Sequence, residues 1–166
     1  MEGRSIEVLA TDQSHIDTLV KGGVSTNWWH LTCFYEAPKT SKRDKSLALL
    51  KVIRDRSTLS WLVIGDFNEI TRDSEKKGGS SQPRWQMKIF TNTLNWCGLR
   101  DLGFVRPSFT WLYQRVDGGQ IRERLDKALS SLAWGVRFQE AKLFHLTCRA
   151  SDHSPLSLHF FMKPLK

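Results

Sequence analysis

No window of this sequence approaches the unbroken apolar length that spans a bilayer, and its opening, MEGRSIEVLATDQ, is too polar for a secretory leader. An intracellular protein is expected. Cysteine is scarce: Cys33, Cys97 and Cys148 lie far apart, with no C-x-x-C and no paired Cys/His spacing. That argues against structural zinc and a disulfide framework, and leaves the three as buried small hydrophobes. Repeats, low-complexity tracts and linkers are missing too, so the 166 residues, 40% of them hydrophobic, read as a single domain over 1–166. Acidic residues are the other shortage. Asp plus Glu number 17 against 25 Lys plus Arg, giving a net charge of +8 and a sequence pI near 9.7, which suits a polyanionic partner.

What is there alternates between strand and helix patterns. From Ile6 to Val20 the chain looks extended, with Ile16, Thr18 and Val20 set against Asp17 and Leu19, before a Gly22-Gly23 turn. In WWHLTCFYE, Trp29, Leu31, Cys33 and Tyr35 share one face of a strand. Leucines and Ile53 among the cations of residues 41–56 predict an amphipathic helix with a serine cap. WLVIG follows as a strand covered on both faces. KKGGSSQPR is loop chemistry, and Met87, Phe90, Leu94 and Cys97 form the stripe of a helix over about 85–97, closed by Gly98. Strands are predicted over 108–113 and 122–128, joined by a turn at Asp117, Gly118 and Gly119, then a short helix over 130–138. A closing strand carries Leu156, Leu158 and Phe160 on one face. The class is mixed α/β with much antiparallel pairing.

Four polar groups stand where apolar ones would be expected. Asp66 and Asn68 leave the WLVIG strand on the same side: one carboxylate to bind a cation or orient a nucleophile, one carboxamide to hydrogen-bond a phosphoryl oxygen. An Asx-rich turn capping the strand is the plainer account. Asp126 sits between Leu125 and Lys127 in RERLDKAL, where a surface salt bridge to Lys127 or Arg124 explains it cheaply. Asp152 and His153 precede the last strand, and a histidine acting as base or phosphate ligand needs a carboxylate to fix its tautomer, for which Asp126 is a candidate. Tyr35 ends a strand, its phenol free for a phosphate or simply for water. Polar groups gathered at strand ends are how α/β enzymes build sites.

The motifs FYEAP, IGDFNEI, SFTW, RLDKAL and SDHSPL, in that order, resemble the endonuclease/exonuclease/phosphatase superfamily. With QMKIFTNTLNWCGLRDLGF, the chain looks closest to the endonuclease domain of plant LINE-type (non-LTR) retrotransposons. The resemblance implies a four-layer α/β sandwich of two mixed sheets, deoxyribonuclease-like, and Mg²⁺- or Mn²⁺-dependent hydrolysis of phosphoesters in DNA. It also implies roles. Asp66 resembles the residue that orients or deprotonates the attacking water, and Asn68 the one that steadies the pentavalent phosphorus. His153 resembles the contact to the scissile phosphate, oriented by Asp126. Tyr35 matches a phosphate-contacting tyrosine, and Trp111, with Arg124, falls among the nucleic-acid contacts. Asp66, Asn68 and Asp152 form the implied metal set. Lys39, Lys42, Arg43, Lys76, Lys77, Arg84, Arg115 and Arg122 are candidates to track the DNA backbone.

Relatives open with two further strands that carry an asparagine and a metal-ligating glutamate, and neither Glu2 nor Glu7 lies in that context. The chain therefore reads as an N-terminally incomplete domain, lacking the opening strands, with weak metal affinity, weak or absent nicking, and self-association through an exposed sheet edge. A non-catalytic basic nucleic-acid-binding remnant and a small-phosphoester hydrolase on the same fold are the alternatives. A retrotransposon enzyme that meets host DNA would work in the nucleus.

Overall fold

The computed structural model describes residues 5–22, 27–148 and 150–160; Gly23 of the expected turn and Glu2 lie outside them. In chain order the elements are β1 (Ser5–Thr11), β2 (His15–Lys21), β3 (Trp29–Tyr35), α1 (Thr40–Asp55), β4 (Trp61–Asp66), a 3-10 turn (Asp73–Glu75) and β5 (Lys76–Lys77). They continue with α2 (Arg84–Cys97), β6 (Leu99–Asp101), β7 (Trp111–Gln114), β8 (Gln120–Glu123), β9 (Asp126–Ser131), α3 (Leu132–Arg137), β10 (Lys142–His145) and β11 (Leu156–His159). A six-stranded sheet in the order β1-β2-β3-β4-β9-β6 forms the centre, with β3 and β4 parallel and the other pairs antiparallel. A two-stranded sheet joins β10 to β11, and a three-stranded one runs β5-β8-β7.

Each face of the large sheet is buried for a reason visible in the sequence. Leu47, Leu50 and Ile53 of α1 and Phe90, Leu94 and Cys97 of α2 recur at helical spacing, and they close over Phe34, Val63 and Phe67. Full burial of side chains of that size is worth roughly 1.5–3 kcal/mol each. On the opposite face Trp29, Leu62 and Ala128 meet Trp134 and Phe138, and Leu143, Leu156 and Leu158 of the two-stranded sheet pack there too. The chain thus folds as the mixed α/β sandwich that the resemblance implied. As predicted, α2 stops at Gly98, whose φ of 67° is the left-handed cap that glycine takes without penalty. The turn at residues 117–119 joins β7 to β8, and the short helix α3 is capped by Ser131.

Several expectations are corrected. The stretch over 6–20 is two strands, because Asp12 Oδ1 accepts the backbone N–H groups of Ser14 at 2.7 Å and His15 at 3.0 Å and so makes a turn between them. Asp17 is buried and Ile16 exposed: Asp17 Oδ1 bonds His30 Nε2 at 2.6 Å and accepts from Thr32 Oγ1 at 2.7 Å. In β3 the more deeply buried face is therefore His30, Thr32 and Phe34, while Cys33 and Tyr35 lie open. Helix α1 begins at Thr40, one residue early, with Lys39 rather than a serine at its N-cap and no side-chain cap. The predicted strand over 122–128 breaks at Arg124 and Leu125 into β8 and β9, which belong to different sheets. Of the cysteines only Cys97 is buried.

Among the described residues, β1 pairs on one side alone, and Ile6 and Val8 on it are 70% and 59% exposed. An edge of that kind templates pairing with another chain. Size-exclusion chromatography with light scattering is expected to give a mass that rises with concentration, and Val8→Lys is expected to shift the distribution toward monomer. A concentration-independent monomeric mass would remove self-association through this edge.

Candidate active site

Strand register assembles the site. Tyr35 of β3 lies opposite Asp66 of β4, and Asp66 lies opposite Asp126 of β9, so three residues from distant parts of the chain form one row across adjacent strands. Gly65 makes this row possible: its φ is +148°, and a Cβ there would stand 2.0 Å from the Phe34 carbonyl oxygen. Any side chain at that position would push β4 off β3 just before Asp66.

Beyond the strand end the chain turns sharply. Asn68 adopts a φ of 47°, held because its N–H donates to Asp66 Oδ1 at 2.8 Å and its Nδ2 donates to Asp66 Oδ2 at 3.0 Å and to the Glu36 carbonyl at 2.8 Å. Both amide N–H groups are spent within the protein, so Asn68 has Oδ1 to offer a ligand. The segment carrying Asp152 and His153 is laid against β7 by backbone bonds from Leu112 N to Asp152 O at 3.0 Å and from Ser154 N to Thr110 O at 2.7 Å. Thr110 Oγ1 also accepts from Leu125 N and Asp126 N, both at 3.0 Å, and so ties the β8-to-β9 corner to the same place. Thr110 was not singled out from the sequence, since a buried threonine in a loop has no local signature.

His153 Nδ1 lies 3.0 Å from Asp126 Oδ2, and its Nε2 lies 4.0 Å from Asp66 Oδ2. Asp126 therefore pairs with His153, and the surface salt bridge to Lys127 or Arg124 is not what it makes. With Nδ1–H given to Asp126, Nε2 remains for a ligand. Burial raises the Asp66 carboxyl above the usual range; the Asn68 N–H and His153 pull it down, and the Asp126 charge pushes it further up. Together with Tyr35 and Trp111 these groups line a cleft of about 620 Å³.

Oxygens of Asp66 and Asp126 and a ring nitrogen of His153 lie within 4.8 Å of one another. Two carboxylates suit a hard divalent cation that keeps several waters, and Asn68 lines the same cleft. Asp152 does not join that group: its Oδ2 accepts from Trp111 Nε1 at 3.1 Å, which steadies the indole on the cleft wall. Trp111 also stacks on Tyr113, with ring centroids 5.9 Å apart and an interplanar angle of 7°.

Arg124 is a correction. Expected on DNA, it is 1% exposed: Nη1 donates to Glu75 at 2.8 Å and to Asp101 at 2.5 Å, Nη2 donates to Asp101 at 2.7 Å, and the guanidinium covers Phe104. Its neighbour Lys127 is buried as well, with Nζ on the carbonyls of Glu69, at 3.0 Å, and Arg124. These two cations brace the loop behind the site from within. Of the cations proposed to track DNA, Lys76 is paired with Glu123 at 2.6 Å and Arg43 with Glu69.

Comparison with curated protein sequences gave no match. Among solved structures, the endonuclease domain of TRAS1, a telomere-specific non-LTR retrotransposon, superposes with a TM-score of 0.72 at 14% identity, over 96% of this chain and 70% of that one. The 3′ phosphatase NExo from Neisseria, bound to product DNA hairpin, gives 0.65 at 20% identity, over 95% of this chain and 70% of its own. Beta toxin from Staphylococcus aureus with bound magnesium ions gives 0.58 at 15% identity, over 88% and 57%. At such identities the likeness establishes the fold. The family model for the Endonuclease/Exonuclease/phosphatase family matches residues 4–153. With nearly the whole length matched and the motif residues gathered at one cleft, the chain belongs to the endonuclease/exonuclease/phosphatase family.

Proposed function

We propose that this chain is a metal-dependent phosphodiesterase of endonuclease type that nicks DNA, of the kind carried by plant LINE-type retrotransposons. The line from Asp126 through His153 to Asp66, at 3.0 and 4.0 Å, carries the reading. Hydrolysis of a phosphodiester needs a water aligned opposite the leaving oxygen and groups that bear the developing charge. Asp66 is the base that holds that water: burial raises its carboxyl, which makes the carboxylate a better proton acceptor. His153, fixed through Nδ1, presents Nε2 to the phosphate. Tyr35 contributes its hydroxyl at the cleft rim, and Trp111 a flat face for the neighbouring nucleotide. Mg²⁺ or Mn²⁺, held by Asp66 and Asp126 with Asn68 Oδ1 beside them, would supply positive charge to the phosphoryl oxygens.

DNA is favoured over a small phosphoester by the net charge of +8 and by the likeness to a retrotransposon endonuclease and to a phosphatase bound to a DNA hairpin. On the retrotransposon reading, such a substrate would be met in the nucleus. A second reading rests on Asp152, whose Oδ2 is turned to Trp111 and which stands outside the group of Asp66, Asp126 and His153, leaving that group two carboxylates. The chain would then bind DNA with weak or no cleavage. Conversion of supercoiled plasmid to open circle in Mg²⁺, but not in EDTA, is expected from the first reading. Salt-dependent DNA binding without nicking selects the second, and neither activity from folded protein sinks both.

A further inference from the structure

Three carboxylates, Asp66, Glu123 and Asp126, line the cleft, and Arg43 is the one permanent cation among the described lining residues. A wall of that charge balance repels a phosphate unless a cation meets it. Arg43 projects from the first turns of α1, and its side chain is 16% exposed. Its hydrogen bonding is incomplete. Nη1 donates to Glu69 Oε2, Nη2 reaches only the Pro38 carbonyl at a long 3.5 Å, and Nε has no partner. A guanidinium has five N–H groups, and one is well used here.

Glu69 is held far more tightly than the residue it binds. Its carboxylate is 3% exposed, and Oε1 accepts from Ile70 N at 3.0 Å and Gln82 Nε2 at 2.7 Å. It is therefore anchored to the loop that follows Asn68 and to the segment leading into α2. Arg43 also lines a second cavity of about 260 Å³, with Glu36 and Glu69, so it stands in the wall between two spaces. A purely structural pair would be expected to meet the carboxylate with both terminal nitrogens, as Arg124 meets Asp101. Arg43 does not.

We propose that Arg43 is a phosphate-binding residue of the cleft, positioned by Glu69 and Gln82, and that its ligand is a phosphoryl group of a nucleic-acid backbone or of a free phosphate. The planar fork matches two phosphate oxygens, and a rigid carboxylate behind it lowers the entropy of holding it in place. The proposal rests on the reading of the cleft as a phosphoester site, and it moves one of the cations expected along the DNA backbone into the cleft itself.

The test measures binding in EDTA, so that it does not depend on turnover. A fluorescent 15-base-pair duplex is followed by anisotropy between 50 and 200 mM salt, and inorganic phosphate by calorimetry. The probes are the wild type, Arg43→Gln/Glu69→Gln, Arg43→Lys, and Lys45→Ala as an exposed cation on the same helix. The double variant leaves no charge at Glu69 without its partner. It is expected to bind the duplex about tenfold more weakly, with the slope of log K against log salt smaller by about one. Lys45→Ala changes affinity less than about twofold. Arg43→Lys keeps the charge and loses the fork, so a severalfold loss for phosphate reads the same contact if the double variant folds poorly. Phosphate binding that needs Arg43, without duplex binding, keeps the subsite and removes the nucleic-acid reading. Unchanged affinity for both probes in the folded double variant overturns the proposal, as does a wild type that binds neither.

Discussion

Replacing Asp66 with asparagine is expected to lower metal-dependent nicking by roughly 10³-fold while leaving the melting temperature unchanged or higher. The two effects share a cause. Asp66 is partly buried beside Asp126, and both burial and that like charge disfavour its ionised form. Asparagine keeps an oxygen to accept the Asn68 N–H and gives up the bond from Asn68 Nδ2, a loss offset by removing the charge, and with it both the base and the cost of holding it. His153→Ala should lose about 10²- to 10⁴-fold for a different reason: Asp126 is left without the ring it orients, so activity falls and stability does not rise. Plasmid nicking and thermal melts on the same samples read both quantities. Cleavage at the wild-type level in either variant would show that the chemistry lies elsewhere, and a large drop in melting temperature for Asp66→Asn would make the carboxylate structural.

The sequence displays the residues that meet at strand ends, because an i, i+2 pair such as Asp66 and Asn68 needs only local geometry to share a face. The partnership of Asp126 with His153, 27 residues apart, was legible only as a chemical requirement of histidine. What could not be read is anything set by a distant buried partner. Arg124 looks like a surface cation in RERLDKAL, and what buries it is Glu75, 49 residues away, and Asp101, 23 away. Thr110 and Gln82 are ordinary loop residues until β9 and Glu69 arrive beside them. The same blindness put Asp17 on the outside of β2. Its burial follows from His30 and Thr32 across the strand pair, and polar pairing of that kind inverts the face that alternation predicts.

Glu36 is the least legible residue of all, and it carries the largest expected effect on stability. It is 1% exposed, neither carboxyl oxygen has a hydrogen-bond partner among the described residues, and its carboxyl is pushed up to about 8. Burial is the main cause; Arg43 opposes it, and the charges of Glu69 and Asp66 add to it. The folded pKa lies above the unfolded one, so between about pH 4.5 and 8 the folded chain holds a proton that unfolding releases. The contribution of this proton to stability is full below the unfolded pKa and is lost as pH rises through the folded one. The slope is about 1.4 kcal/mol per pH unit, which amounts to up to about 4 kcal/mol between pH 5 and 8. Glu36→Gln removes the titration, so urea unfolding should find the variant more stable than the wild type at pH 8, with no such gain at pH 5. Parallel stability curves across that range would mean that the carboxyl finds water or a partner when it ionises. The backbone of Glu36 explains why so costly a side chain stands there: its N–H donates to the Asp66 carbonyl and its carbonyl holds Asn68, both at 2.8 Å. A residue that fixes the turn of the site through its main chain is confined to the core behind it, and a carboxyl in that position trades stability at neutral pH for a neutral neighbour to Arg43.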